Sequence, residues 1–248
     1  MAKDGLKFPD FLSNPMENHK RQPKVDLKEI WVIGAGKFGN LAVSRIFRHF
    51  PSARIIVVDP LPSDIPVAGV TRIVADGVAW LDQMLTETAS VDLIVPAVPL
   101  HLVARWIACR LGEACETHPM PVENEWLAGM PHPMPGLPGQ VFVSHADFFC
   151  PDNCPEPADH CTMTGKPRPM DLFELLPQLA PCGIRPVVVR SRQLLAGVGG
   201  LLPKDLFDAV EAVRCHGDQP FMIATACRCH GVVDFIRFIR KPHIQGIS

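Results

Sequence analysis

From residue 29 onward, unbroken apolar runs take turns with apolar residues spaced three or four apart, a pattern that predicts alternating strands and helices. Residues 30–33 are all apolar, as expected of a strand covered on both faces, and the run stops at Gly34. Leu41, Val43, Ile46, Phe47 and Phe50 follow at helical spacing and predict a helix with one face on a sheet. Residues 54–58 are apolar and β-branched and predict a second strand, which delivers Asp59 at its end. Residues 71–75 predict a third strand and 78–85 a helix. Residues 91–98 predict a fourth strand that runs into a proline-bounded loop, and 102–111 an amphipathic helix.

The pattern then breaks. Prolines are too dense over 118–138 for a regular element, so this stretch is expected to be an extended loop anchored by Trp126. Alternation resumes with strands expected near 141–144, 186–189 and 221–225 and helices near 170–179 and 204–214. These continue the first sheet or form a small α/β appendage. Residues 1–28 carry charge and prolines without a sustained period and read as a polar arm.

The join between the first strand and helix carries the strongest chemical signal. Gly34-Ala35-Gly36-Lys37-Phe38-Gly39 is a complete G-x-G-x-x-G between a predicted strand and a predicted helix, with Asp59 closing the next strand. In such a unit the first glycine allows a tight turn, the second lets a pyrophosphate approach the backbone, and the third lets helix and strand pack closely. The helix N-terminus offers N–H groups and partial positive charge to phosphates. Asp59 is placed to accept hydrogen bonds from ribose hydroxyls and to repel a 2'-phosphate, which favours NAD over NADP. Arg72 is the residue that could serve a 2'-phosphate instead. Asp76 is either a further contact at the adenine end or a helix cap. His101 follows the fourth strand and is either a proton carrier near the nicotinamide or a capping or surface histidine.

Composition changes the picture in two ways. The chain has 248 residues with 24 basic and 26 acidic side chains, a balance that gives no electrostatic case for nucleic acid or an anionic membrane. Its apolar runs are too short to span a bilayer and its start lacks a signal-peptide core, so a cytoplasmic protein is expected. There are nine cysteines, an odd number, which in a reducing compartment argues for metal or redox chemistry rather than a disulfide framework.

Three of those cysteines cluster. Cys150, Cys154 and Cys161 stand at C-x3-C-x6-C in a proline-stiffened loop, where core packing is a poor explanation and metal ligation a better one. Cys229 is the expected fourth ligand, with Cys227 and His230 beside it as alternatives. The spacing lacks the C-x2-C pairs of structural zinc sites, and prolines directly follow Cys150 and Cys154, so an iron-sulfur cluster is favoured over zinc; absence of any metal is the remaining reading. Cys109, Cys115, Cys182 and Cys215 read as small buried hydrophobes near helices. Thr164-Gly165-Lys166-Pro167 lacks the first glycine and the final Ser or Thr of a phosphate loop and is rejected as one. Residues 195–201, rich in glycine, read as a turn before a second anion site. Lys166, Arg168, Arg190 and Arg192 flank these two loops and are either holders of a substrate carboxylate or phosphate or, by default, solvated surface residues.

On Gly34, Gly36, Gly39, Asp59 and Asp76, residues 30–110 resemble the NAD-binding Rossmann domains of dehydrogenases and the nucleotide-sensing TrkA-N domains of potassium-uptake regulators. The resemblance implies nucleotide binding and stops short of the cysteines. The expected fold class is α/β, a Rossmann-like doubly wound, mostly parallel sheet with a Pro-rich and Cys-rich loop insertion and a small α/β C-terminal portion. The expected domains are the arm over 1–28, a dinucleotide-binding domain over 29–146 and a cysteine-containing portion over 147–248. Two functions fit. One is an NAD-dependent oxidoreductase acting on a small-molecule substrate, possible also as a homo-oligomer, with a metal centre at the thiols and no assigned catalytic residue. The other is a non-catalytic NAD/NADH sensor acting on a protein partner such as a potassium transporter. An iron-sulfur centre would exchange electrons with a nicotinamide only through a hydride-splitting group such as a flavin, for which no motif is seen.

Overall fold

In a computed structural model of the chain, the described residues are 26–62 and 67–241. The polar arm read at 1–28 lies for the most part outside them.

The first half builds one parallel sheet. Strand β1 (Glu29–Ile33) leads into helix α1 (Lys37–His49) and returns as β2 (Arg54–Asp59); β3 (Thr71–Val74), α2 (Gly77–Met84), β4 (Leu93–Pro96) and α3 (Leu102–Leu111) follow. The strand order is β3-β2-β1-β4, with every pairing parallel. Alternate residues of β1 and β2 face opposite ways, which is why their sequences are apolar throughout. Ile30, Val32, Ile55 and Val57 pack under α1, and Trp31, Ile33, Ile56 and Val58 pack toward α2 and α3.

The second half builds a separate mixed sheet rather than extending the first. Its elements are β5 (Cys115–Pro119), β6 (Met134–Pro135), β7 (Gln140–Ser144), α4 (Leu172–Gln178), β8 (Arg185–Arg190), β9 (Arg192–Leu195), β10 (Val198–Gly200), α5 (Pro203–His216), β11 (Pro220–Ala226) and β12 (His230–Arg240). The order is β6-β7-β12-β11-β8, with β5 beside the distal half of β12; β11 and β8 are parallel and the other pairings in this sheet antiparallel. Residues 115–144 therefore belong to the second sheet, although the sequence places the end of the first domain at 146. The proline-rich stretch is also more ordered than expected. It starts at the end of β5 and contains β6 and a short 3-10 turn (Asn124–Leu127), and Trp126 anchors it against Phe235 with ring centroids 5.0 Å apart.

Helices α2, α3 and α5 fill one core between the two sheets, bounded by Trp31, Ile94, Phe221 and Phe238. Helix α4 covers the outer face of the second sheet through Leu172 and Leu176. The β9–β10 hairpin fastens the halves, because Leu201 just after it pairs with Ile94 of β4. At the same level His101, buried to 4% exposure at the start of α3, places Nδ1 2.5 Å from Asp234 on β12 and Nε2 2.8 Å from Thr225 on β11. Among the described residues no helix is long and apolar enough to cross a membrane.

Candidate functional site

The loop between β1 and α1 has the shape its glycines require. Gly34 adopts φ +107°, its N–H donates to the Val58 carbonyl at 2.7 Å, and a Cβ there would lie 2.4 Å from the Ala97 carbonyl oxygen. A Cβ on Gly39 would lie 2.0 Å from the Gly34 oxygen, so α1 crosses the turn at a distance only glycine permits. Gly36 differs: a Cβ there meets nothing within 4 Å. It stands at the N-cap of α1, and no side chain caps that helix. Open space and unsatisfied helix N–H groups thus meet at one point.

The acids behave unequally. Asp59 accepts from the backbone N–H of Ala35 at 2.7 Å with one oxygen and from that of Leu61 at 2.9 Å with the other, which ties the glycine loop to the end of β2. Each carboxylate oxygen keeps a second lone pair for another donor. Asp76 accepts from the Ala79 N–H at 2.8 Å and caps α2. Lys37 pairs with Asp152 at 3.1 Å, and Phe38 is exposed.

A cleft of about 1200 Å³ begins at Phe38 and extends across the cysteine loop to the join of β11 and β12. Cys150, Cys154, Cys161, Cys227 and Cys229 line it, together with His132, His145, His160 and His230. Among the described residues, no three or more His, Cys, Asp or Glu side chains are gathered closely enough to hold a metal ion as they stand. The sequence brings the expected ligands Cys150, Cys154, Cys161 and Cys229 to one cleft, then, without converging their sulfurs.

The wall is rigidly organised. Arg45 of α1 donates to the carbonyls of Asp152 and Ala196 at 2.7 and 2.6 Å, and the Cys154 carbonyl accepts from Gln193 Nε2 at 2.7 Å and the Gly197 N–H at 3.0 Å. Residues 195–201 are thus the tip and return strand of the β9–β10 hairpin. Arg168 is buried rather than solvated. It donates to the carbonyls of Pro157 (2.6 Å), Ala158 (3.1 Å) and His160 (3.0 Å) and through Nε to Cys229 Sγ at 3.0 Å. Arg192 pairs with Asp205, and Arg190 lies over the Phe173 ring at 4.2 Å.

Glu156 sits in this wall with its Oε1 2.5 Å from the Arg228 N–H. Burial raises its pKa, and hydrogen bonds with Cys227 and Arg228 and the charges of Arg168 and Arg228 offset part of the rise. Among the described residues Glu156 (φ 48°) and His132 (φ 40°) are the non-glycine residues with left-handed backbone, and both line the cleft. Each costs roughly 1–2 kcal/mol, a strain that persists only where surrounding structure imposes it and that gathers at functional sites.

The thiols fall into two groups. Burial pushes Cys229 up to about 11 against the lowering effect of Arg168, and burial with the Glu156 charge pushes Cys227 well up. Burial and the neighbouring Cys154 and Cys161 raise Cys150. At Cys161 burial also pushes upward, but hydrogen bonds from Thr164 and Met163 and the Arg168 charge outweigh it and lower the pKa. Burial keeps the imidazoles of His145 and His230 low and neutral near pH 7.

Of the other cysteines, Cys109, Cys182 and Cys215 are exposed, contrary to the expectation of burial, and Cys115 is partly buried on β5. The first and third lie on the solvent sides of α3 and α5, whose buried residues are at other phases. His101 is no surface histidine and no cap, since its side chain makes no capping bond and both nitrogens are engaged in the core. Sequence reading missed Glu156 and Asp152 and placed Arg168 in solvent. Spacing carries no sign of burial or of a left-handed backbone at a non-glycine residue.

An Archaeoglobus fulgidus protein named "Uncharacterized protein" is 23% identical to this chain over 230 residues, covering 83% of this chain and 98% of that protein. No solved structure matches. A family model described as "Uncharacterized protein, C-terminal domain" matches residues 103–239, from α3 through β12, including all the cleft cysteines. That span exceeds half of the chain, and the chain therefore belongs to that family.

Proposed function

We propose that the chain is an NAD-binding oxidoreductase whose first sheet is a Rossmann-like, doubly wound nucleotide unit and whose reaction takes place in the thiol-lined cleft. The observation that carries this reading is Gly36: open space above a glycine, at an uncapped helix N-terminus, at the carboxyl end of a parallel sheet with helices on both faces. Gly36 and the first N–H groups of α1, at Lys37, Phe38 and Gly39, hold the pyrophosphate. Asp59 retains acceptor capacity for a ribose hydroxyl, and its charge favours NAD over NADP. Asp76 stands at the adenine end while capping α2. A nicotinamide supplies hydride transfer when bound, and the cleft that opens at Phe38 is where a small substrate meets it. Thiols on the far wall hold a metal centre, iron-sulfur before zinc.

A second reading, a nucleotide sensor that signals to a protein partner, is favoured by the Lys37–Asp152 contact. That pair joins the glycine loop to the cysteine loop, so occupancy of one would be felt by the other.

Calorimetric titration with NAD, NADH, NADP and ADP-ribose tests the binding. NAD and ADP-ribose should bind and NADP should bind more weakly. Gly36→Ala is the sharper probe. Its backbone (φ −69°) suits alanine and its Cβ has room, so stability should change by less than about 0.5 kcal/mol, while NAD affinity should fall by roughly tenfold or more, about 1.4 kcal/mol. Unchanged NAD affinity in a folded Gly36→Ala protein would sink the assignment.

A further inference from the structure

We propose that Thr225, His101 and Asp234 form the proton-transfer site of an alcohol–carbonyl interconversion, with the Thr225 hydroxyl as the group that meets the substrate oxygen. The proposal rests on the dinucleotide reading above, which supplies the hydride partner, and it is independent of the thiols.

Three elements each contribute one side chain: His101 stands at the start of α3, Thr225 on β11 and Asp234 on β12. The imidazole bridges the other two, Nδ1 to Asp234 Oδ2 at 2.5 Å and Nε2 to Thr225 Oγ1 at 2.8 Å. Gln140 Nε2 approaches both Asp234 oxygens, at 3.2 and 3.4 Å. A carboxylate accepts and does not donate, so the proton of the neutral ring lies on Nδ1 and Nε2 is an acceptor. The Thr225 hydroxyl therefore donates to Nε2, and its oxygen keeps lone pairs for a substrate hydroxyl. A hydroxyl backed by an imidazole that a carboxylate orients is an arrangement suited to proton transfer.

This network lies at the rim of the core between the sheets. Phe221 and Ile223 precede Thr225 on the same face of β11, and Ile236 and Phe238 follow Asp234 on the same face of β12, all at 6% exposure or less. Thr225 is only half-buried, and the Asp234 side chain keeps 17% exposure against 2% for His101. The network thus reaches the surface through Thr225 and Asp234 while the imidazole is sealed. Both of its flanks are sites already described. The loop after β4 presses on the glycine turn, where a Cβ on Gly34 would lie 3.0 Å from Val98 Cγ1. His101 comes four residues after Ala97, a reach of at most ~14 Å. Thr225 comes two residues before Cys227, which lines the cleft. The loop after β4 and the end of β11 are carboxyl ends of parallel-paired strands, where α/β sheets present their ligands.

In the oxidising direction the substrate carbon gives a hydride to the nicotinamide and the substrate O–H proton passes to the Thr225 oxygen. Thr225 passes its own proton to His101 Nε2. One C–H and one O–H bond break, a C=O bond forms, and the Asp234 charge stabilises the imidazolium. After the carbonyl leaves, the proton returns to solvent through Thr225. Reduction of a carbonyl runs the same steps backward.

The test uses the full chain and two readouts. The first needs no cofactor: nitrogen NMR of protein with isotope-labelled histidine at about pH 8, His101 being assigned by its loss in His101→Gln. Nε2 should be unprotonated, and Thr225→Val should shift its resonance; an Nε2 that already carries a proton overturns the proposal. The second follows NADH formation from NAD with a panel of short secondary alcohols and 2-hydroxy acids. Thr225→Val should lower kcat by roughly 10²–10⁴-fold, with KM and NAD affinity unchanged, and Thr225→Ser should restore most of the rate. Asp234→Asn should lower kcat and move the ring proton to Nε2. Circular dichroism establishes that each variant is folded; where Asp234→Asn is not, the Thr225→Val and Thr225→Ser pair carries the comparison. Full kcat in Thr225→Val, or Thr225→Ser as slow as Thr225→Val, overturns the proposal. Intact NAD binding without turnover of any panel member removes this inference alone, whereas a wild-type protein that does not bind NAD removes the dinucleotide reading and this inference with it.

Discussion

Asp152 stands at the mouth of the glycine loop, where a carboxylate is unfavourable for an incoming phosphate. Its pairing with Lys37 is solvent-exposed at both ends and is worth little by itself. It nevertheless keeps Lys37 turned toward the cysteine loop and leaves a negative charge beside the proposed pyrophosphate site. Asp152→Asn should therefore tighten NAD binding by roughly two- to fivefold at low salt, with the gain shrinking as ionic strength rises; weaker binding at every salt concentration would show that Asp152 helps the ligand. Gly34 and Gly39 were legible in the sequence because a left-handed turn at one and a close helix crossing at the other leave no room for a Cβ. Asp152 was not, because its partner lies more than a hundred positions away.

Single elements show the same division. Helix α1 was readable from its apolar spacing, yet its polar side does unexpected work: Arg45 holds both the cysteine loop and the β9–β10 turn. At the tip of that hairpin Gly197 has φ +70°, and a Cβ there would lie 1.7 Å from the Asp152 carbonyl oxygen. Hairpin, loop and helix are thus one fastened unit. Arg45→Ala should remove roughly 1–2 kcal/mol of hydrogen bonding to charge, read as faster limited proteolysis within 150–161. Unchanged cleavage would mean that the proline-stiffened loop holds itself. Strands β8 and β11 were legible as buried β-branched or apolar runs. The short β9 and β10, and β5 with its terminal proline, were not, because they exist by pairing and not by local preference.

For the molecule as a whole, the two sheets share a helical core and are joined through buried polar contacts at His101. Asp234 also receives Gln140 Nε2 at 3.2 Å, so one carboxylate connects α3, β7 and β12. Asp234→Ala leaves the buried imidazole without its acceptor and should cost roughly 1–3 kcal/mol in urea-induced unfolding; a smaller loss would show that core packing alone joins the halves. His101 attracted notice in the sequence as a candidate near the reacting ring, but only packing revealed that both of its nitrogens face inward. By itself the sequence determined the strand–helix alternation, the glycine turn and Asp59, and the presence of thiols on a stiff loop, since these follow from local periodicity and backbone sterics. Tertiary structure decided that the second half forms its own sheet, that Cys227 and Cys229 face the 150–161 loop, and that Arg168 and Glu156 are buried among them. Those facts depend on long-range strand pairing and desolvation, which no local pattern encodes.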